Sequence, residues 1–159
     1  MRKTLTAIAV GLSIMLLLWA PSSSAEDRFT DNGDGTVTDN QTGLMWAKYD
    51  NQGDVSWKEA ERYCKVGPPQ IIGKYNDWRM PTIVELEAIY HKGSEGYETD
   101  CGQMVKVFPA IRLSCGWVWS SEQESITARV FNFHRGYIYT DRRVHMKNYR
   151  ALPVRSLKK

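Results

Sequence analysis

The stretch Asn76-Asp77-Trp78-Arg79-Met80-Pro81-Thr82-Ile83-Val84-Glu85-Leu86 carries two local instructions. Pro81 biases Met80 toward an extended backbone and keeps a helix from starting earlier. Thr82 offers its side-chain oxygen as an N-cap, and Glu85, three residues on, reaches back to the Thr82 amide, which is a capping box. The segment therefore predicts an aromatic strand end at Trp78 that turns into a capped helix. Ile83, Leu86, Ile89 and Tyr90 continue that helix as an apolar stripe ending near Gly93.

Working outward, Ser56 and Glu59 repeat the capping box, and Trp57, Ala60, Tyr63 and Cys64 recur at helical spacing until Gly67 and Pro68 stop the helix. Before it, Phe29-Thr30, Thr36-Val37-Thr38 and Leu44-Met45-Trp46 are short strands separated by Asp/Asn/Gly turns. Ser94 to Ser114 has no steady period and reads as a long loop. Trp117 to Ser120, Ala128 to Phe133, Tyr137 to Thr140 and Tyr149 to Val154 alternate as antiparallel strands, with His134-Arg135-Gly136 as one hairpin turn. Together these predict an α+β domain, two helices packed on antiparallel sheets with long loops. Trp46, Trp57, Trp78 and Trp119 fall at element ends or on apolar faces and are assigned to the core.

The first 25 residues read as a signal peptide: Arg2 and Lys3, an apolar run from Leu5 to Ala20, and Ser23-Ser24-Ala25 before a cleavage site. The run is shorter than the roughly 20 residues that span a bilayer comfortably, so no stable membrane span is expected after cleavage. Residues 26–159 then form a single domain, exported to the periplasm or beyond the cell. Loss of Arg2 and Lys3 takes the basic count from 21 to 19 against 18 acidic residues, which removes any charge argument for a nucleic-acid partner. A local excess remains in Arg135, Arg142, Arg143, His145, Lys147, Arg150 and Arg155, a pattern that suits a solvated face or an anionic partner.

An oxidising compartment favours cysteine pairing. Cys64, Cys101 and Cys115 allow three pairs with one thiol left over. Cys101 with Cys115 is the favoured pair, because they close a short loop around the Phe108-Pro109 turn, a constraint of roughly 3 kcal/mol in the chain-entropy model.

Asp77-Trp78-Arg79-Met80-Pro81-Thr82 resembles the Asp-Trp-Arg-Leu-Pro-Thr signature of the family named for the C-terminal domain of the Legionella collagen-like protein. Two further segments are similar to that family: Asp31-Asn32-Gly33-Asp34-Gly35-Thr36-Val37-Thr38-Asp39 leading into Thr42-Gly43-Leu44-Met45-Trp46-Ala47, and Trp119-Ser120-Ser121 before an aromatic hairpin. The resemblance implies a C-type-lectin-like domain with the chain ends brought together in one sheet, and a family of largely unknown function. Many relatives carry a cysteine in the last strand. Here that strand reads Arg150-Ala151-Leu152-Pro153-Val154-Arg155, which leaves Cys64 free and buried. Arg79-Met80-Pro81-Thr82, with Glu85 and Leu86, also resembles a segment of formylglycine-generating enzymes, whose copper-binding cysteine pair lies late in the domain. Cys115 is the last cysteine here, so that pair has no place and the segment reads as shared scaffold.

Other chemistry is weighed on the residues themselves. Asp31 and Asp34 suggest a calcium loop, but Gly33 and Gly35 occupy positions where an EF-hand needs oxygen ligands, and a turn accounts for the segment. No cofactor is expected, with calcium left open. His91, His134 and His145 lack zinc spacing. Ser120 and Ser121 have no nucleophile elbow and are assigned to satisfying backbone groups beside Trp119.

The ligand-binding candidates lie on the late hairpin. Tyr137, Tyr139 and Asp141 share a strand face by the two-residue period, and His134, Arg135, Arg142 and Arg143 surround them. The expectation is a noncatalytic recognition or adhesion module whose partner is a glycan or an envelope or extracellular protein. A structural subunit of an envelope assembly is the alternative.

Overall fold

Both capping boxes form in the computed structural model, which describes residues 28–69 and 74–157; the expected signal peptide lies outside them. Helix α1 (Trp57–Val66) is capped by Ser56, whose Oγ accepts from the Glu59 amide while Glu59 accepts from the Ser56 amide. Helix α2 (Ile83–Ala88) is capped in the same way by Thr82 and Glu85. It ends sooner than the apolar stripe suggests, at Ile89 rather than near Gly93. The backbone leaves the helix there because Tyr90 bridges Val107 and the His91 amide donates to the Lys106 carbonyl. Ile89 and Tyr90 still pack on the core, held by those bridges instead of by helical periodicity.

The strands are β1 (Phe29–Asp31), β2 (Thr36–Asp39), β3 (Leu44–Ala47), β4 (Tyr97–Glu98), β5 (Met104–Val105), β6 (Trp117–Glu124), β7 (Thr127–Asn132), β8 (Tyr137–Arg142), β9 (Tyr149–Arg150) and β10 (Val154–Ser156). They form a sheet in the order β1-β2-β3-β10, a small β4-β5 ribbon, and a sheet in the order β8-β7-β6-β9. The fold is α+β with mostly antiparallel sheets, and the first and last described strands form the two edges of one of them.

Two expectations are corrected. The final strand is not continuous: β9 pairs parallel to β6, whereas β10 pairs antiparallel to β3 in the other sheet. Pro153 falls between them, where the missing amide donor suits a break in the ladder. Trp78 ends no strand either: it lies outside every described strand, and its neighbour Arg79 makes an isolated bridge to Val154. The segment from Ser94 to Ser114 is also less irregular than its sequence suggests. It carries the β4-β5 ribbon, and the Cys101–Cys115 disulfide joins the turn between those two strands to the approach of β6.

The opening stretch links the two large sheets. Arg79 and Val154 exchange backbone hydrogen bonds at 2.9 and 3.0 Å on one side, and the Pro81 carbonyl accepts from the Ser121 amide at 2.8 Å on the other. Glu122 of β6 accepts from the Ile83 amide at 3.0 Å, satisfying one of the exposed donors at the start of α2. Arg79 lies against Glu85 with two hydrogen bonds of 2.6 and 2.8 Å, so the carboxylate that completes the capping box also anchors the arginine.

One core cluster, with Trp46, Leu86, Ile111, Phe131 and Leu152, joins α2 to both sheets; a second, with Trp57, Cys64, Met80, Trp119 and Val130, joins α1 to the opposite face of the β6-β7 pair. Trp78 and Met45 make a third with Tyr75. The four tryptophans assigned to the core are buried. Cys64 is free and fully buried, and burial pushes its thiol far above the ordinary range.

Candidate functional site

Antiparallel register carries the chemistry of the late hairpin. Val130 of β7 stands opposite Trp119 on β6 and Tyr139 on β8, and Asn132 stands opposite Trp117 and Tyr137. Directly paired residues share a sheet face. Trp117, Trp119, Tyr137 and Tyr139 therefore lie on the face that α1 partly covers, and β9 adds Tyr149 opposite Trp117.

The result is a ladder of five rings. Trp119 stacks on Tyr149 at 4.5 Å, Tyr149 meets Trp117 edge-on at 5.8 Å, Trp117 contacts Tyr139 at 4.7 Å, and Tyr139 meets Tyr137 at 6.3 Å. Exposure rises along it, from 0% at Trp119 to 40% at Tyr139 and 53% at Tyr137. The inner rings are fixed by core packing, and the Trp119 indole donates to the Val55 carbonyl at 2.9 Å. The outer rings thus present apolar faces to solvent from a rigid base.

Polar groups hold the inner end. The Tyr149 hydroxyl donates to Asp141, and His145 Nδ1 lies 2.7 Å from the other Asp141 oxygen. Burial alone raises the Asp141 pKa, yet the hydrogen bonds from Tyr149 and His145 outweigh it and hold the carboxyl below its usual range. The same contact works the other way on Tyr149: burial and the neighbouring carboxylate push its hydroxyl far above the ordinary tyrosine range.

The other candidates are distributed around this platform. His134 sits in the β7-β8 turn with Nδ1 2.7 Å from the Met104 carbonyl, and its amide, like that of Arg135, donates to Asn132. Arg142 lies on the opposite face of β8 from Tyr139 and Asp141. Arg143 turns away to stack over Trp57 at 4.3 Å and donates to Gln123 and the Ser125 carbonyl. Of the basic cluster, Arg150 pairs with Asp54 and Arg155 with Asp77. Among the described residues Arg135, Arg142 and Lys147 form no such ion pair and are exposed.

Trp117, Trp119 and Tyr149 are ladder members absent from the ligand-binding residues expected from sequence, Trp119 being assigned there to the core. The Trp-x-Trp spacing of 117 and 119 was the available signal for the first. Nothing local marks Tyr149, whose place comes from a parallel pairing across the chain.

Asp31 and Asp34 hold the β1-β2 turn. Asp31 accepts from the Gly33 amide at 3.0 Å and pairs with Lys48 at 2.6 Å; Asp34 accepts from the Thr36 amide at 3.1 Å and pairs with Lys74. Among the described residues, no three His, Cys, Asp or Glu side chains are grouped to hold a metal ion. Ser120 does what its position suggests: its hydroxyl donates to the Arg129 carbonyl and accepts from the Glu122 amide. Its carbonyl accepts from the Trp57 indole at 2.8 Å.

A second exposed apolar feature lies at the other end of the same hairpins. Ile126, Val144 and Met146 line an open groove of about 480 Å³ with Ser56, Lys58, Glu59, Ser125 and Arg143. No described helix is long and apolar enough to cross a membrane.

These features define an α+β domain, stapled by one disulfide, that displays an aromatic sheet face. The chain belongs to the Lcl C-terminal domain family, whose model matches residues 35–155. No curated protein matches it.

Proposed function

We propose that the protein is an exported, noncatalytic recognition module of C-type-lectin-like fold that binds an anionic glycan through the outer rings of the aromatic ladder. The observation that carries this reading is the pairing of a rigid inner ladder with two solvent-facing tyrosines. Flat apolar rings suit the apolar faces of sugar rings, and aromatic groups with a polar tip work at wet surfaces. The unpaired cations Arg135, Arg142 and Lys147 supply an attraction that salt screens. The Cys101–Cys115 disulfide is compatible with an oxidising compartment outside the cytoplasm.

The test is a panel of sulfated, uronic and neutral polysaccharides, read by titration calorimetry and by intrinsic tryptophan fluorescence. Saturable binding to acidic members that weakens with salt is the expected result. Tyr139→Ala weakens it by about tenfold or more, the loss typical of a central aromatic anchor. Absence of binding to every glycan, or binding unchanged in Tyr139→Ala, refutes the proposal.

The Ile126, Val144 and Met146 groove favours a second reading, a subunit docked on an envelope assembly, since a contiguous exposed apolar patch commonly marks a protein contact. Recovery with one fixed partner, lost in Val144→Asp, together with no glycan affinity, selects that reading.

A further inference from the structure

Strand β8 is the outer strand of its sheet, and among the described residues no strand pairs with its far side. Its side chains are largely exposed on both faces, including Tyr137, Ile138 and Tyr139. An uncovered edge of this kind is a template for another strand.

The direction of each backbone group on the edge follows from the ladder. The Arg143 amide donates to the Ile126 carbonyl at 2.9 Å, in step with the register that pairs Tyr139 with Val130. Hydrogen-bonded and non-hydrogen-bonded pairs alternate along antiparallel strands. Tyr137, Tyr139 and Asp141 therefore turn their amides and carbonyls toward β7, and Ile138, Thr140 and Arg142 turn theirs outward. Arg142 is already occupied: its amide donates to Asp141 at 2.7 Å and its carbonyl accepts from the His145 amide at 3.0 Å. The free edge thus reduces to Ile138 and Thr140.

Two residues spaced in this way complement themselves. We propose that the β8 edge pairs antiparallel with β8 of a second copy, Ile138 opposite Thr140 of the partner and the two-fold axis passing through Tyr139. Both free amides and both free carbonyls of each copy are then used, giving four backbone hydrogen bonds across the axis. The same register sets Asp141 opposite the neutral Tyr137 and Arg142 opposite Gly136, so no residue of β8 faces a like charge. A register one pair further on would ask the occupied Arg142 amide to bond again. The axis stands perpendicular to the sheet, so both ladders face the same side and their tyrosines form one continuous strip.

A strand edge buries less than the ~1,200 Å² of a stable complex, which places the expected dissociation constant between about 10 µM and 1 mM. The test is sedimentation equilibrium of the purified protein without glycan, so its result stands apart from the glycan proposal. Reversible dimerisation is expected. Thr140→Pro, which deletes an outward amide while leaving the β7 ladder intact, weakens it by about tenfold or more with little change in thermal midpoint. Site-specific oxidation tests the register directly. Across a non-hydrogen-bonded pair the Cα atoms lie about 4.5 Å apart, within disulfide reach, so Tyr139→Cys forms a covalent dimer. Ile138→Cys, whose two copies lie beyond about 7 Å in this register, does not. A protein that stays monomeric at about 1 mM and fails to cross-link through Tyr139→Cys overturns the proposal. So does a dimer indifferent to Thr140→Pro, or equal cross-linking through Ile138→Cys.

Discussion

Replacing Gly67 with alanine tests how the end of α1 is joined to the stretch around Trp78. Gly67 follows the helix with φ 83° and ψ 171°, a region essentially reserved for glycine. A Cβ built there meets Trp78 Cδ1 at 2.6 Å and Nε1 at 3.0 Å. Trp78 is 3% exposed, packed on Met45 and edge-on to Tyr75, so the indole has little room to retreat. The backbone strain costs about 1–3 kcal/mol, and forcing an extra carbon into a packed site costs about 1–3 kcal/mol more. A loss of about 2–6 kcal/mol is a large share of the 5–15 kcal/mol typical of a whole domain. For a domain of this size each kcal/mol lowers the midpoint by roughly 3–5 °C. Gly33→Ala is the control, because Gly33 also has a positive φ, 73°, but its added Cβ meets nothing within 4 Å. Urea unfolding of both variants, with the disulfide intact, compares a positive-φ glycine that has the close contact with one that lacks it. If Gly67→Ala costs no more than Gly33→Ala, the close contact with Trp78 does not constrain the fold and the reasoning fails.

Thr82→Ala, which removes the cap of α2 from the Glu85 amide, is expected to lower unfolding free energy by about 1 kcal/mol in chemical denaturation. Asp39 is buried and takes two hydrogen bonds from Arg28, at 2.6 and 2.9 Å. Burial pushes its pKa up, but Arg28 and the nearby Thr42 and Gln41 groups hold it below the usual carboxylate range. A depressed carboxyl contributes stability above its unfolded pKa and loses it as pH falls through the folded value. The urea midpoint should therefore drop more steeply below about pH 4 in the parent than in Asp39→Asn; parallel curves would contradict this. Replacing Cys101 and Cys115 with serine is expected to cost roughly 3 kcal/mol by calorimetry. Cys64, fully buried, should resist alkylation until the domain unfolds, and rapid labelling under native conditions would contradict its placement.

The candidate site was only partly legible along the chain. The period of two placed Tyr137, Tyr139 and Asp141 on one face, because side-chain alternation is a property of a single strand. It did not place Arg143 over Trp57 at 4.3 Å, nor bring Tyr149 against both Trp117 and Asp141. Those contacts depend on the path of the chain after β8, which crosses back to the other edge of the sheet.

Local chemistry in the sequence determined the two capped helices, the short first strands and the hairpin turn, since each depends on residues within a few positions of one another. The favoured disulfide was legible as well, because two of the three cysteines close a short loop. Tertiary structure alone decided where α2 stops, that the last strand divides between two sheets, and that Arg79 and Pro81 of the opening stretch tie those sheets together. Each rests on hydrogen bonds between residues far apart in sequence, and such bonds leave no periodic trace in either segment. The aromatic ladder stands between the two cases. Its outer tyrosines were visible in one strand, and its rigidity came from tryptophans and a tyrosine on two others.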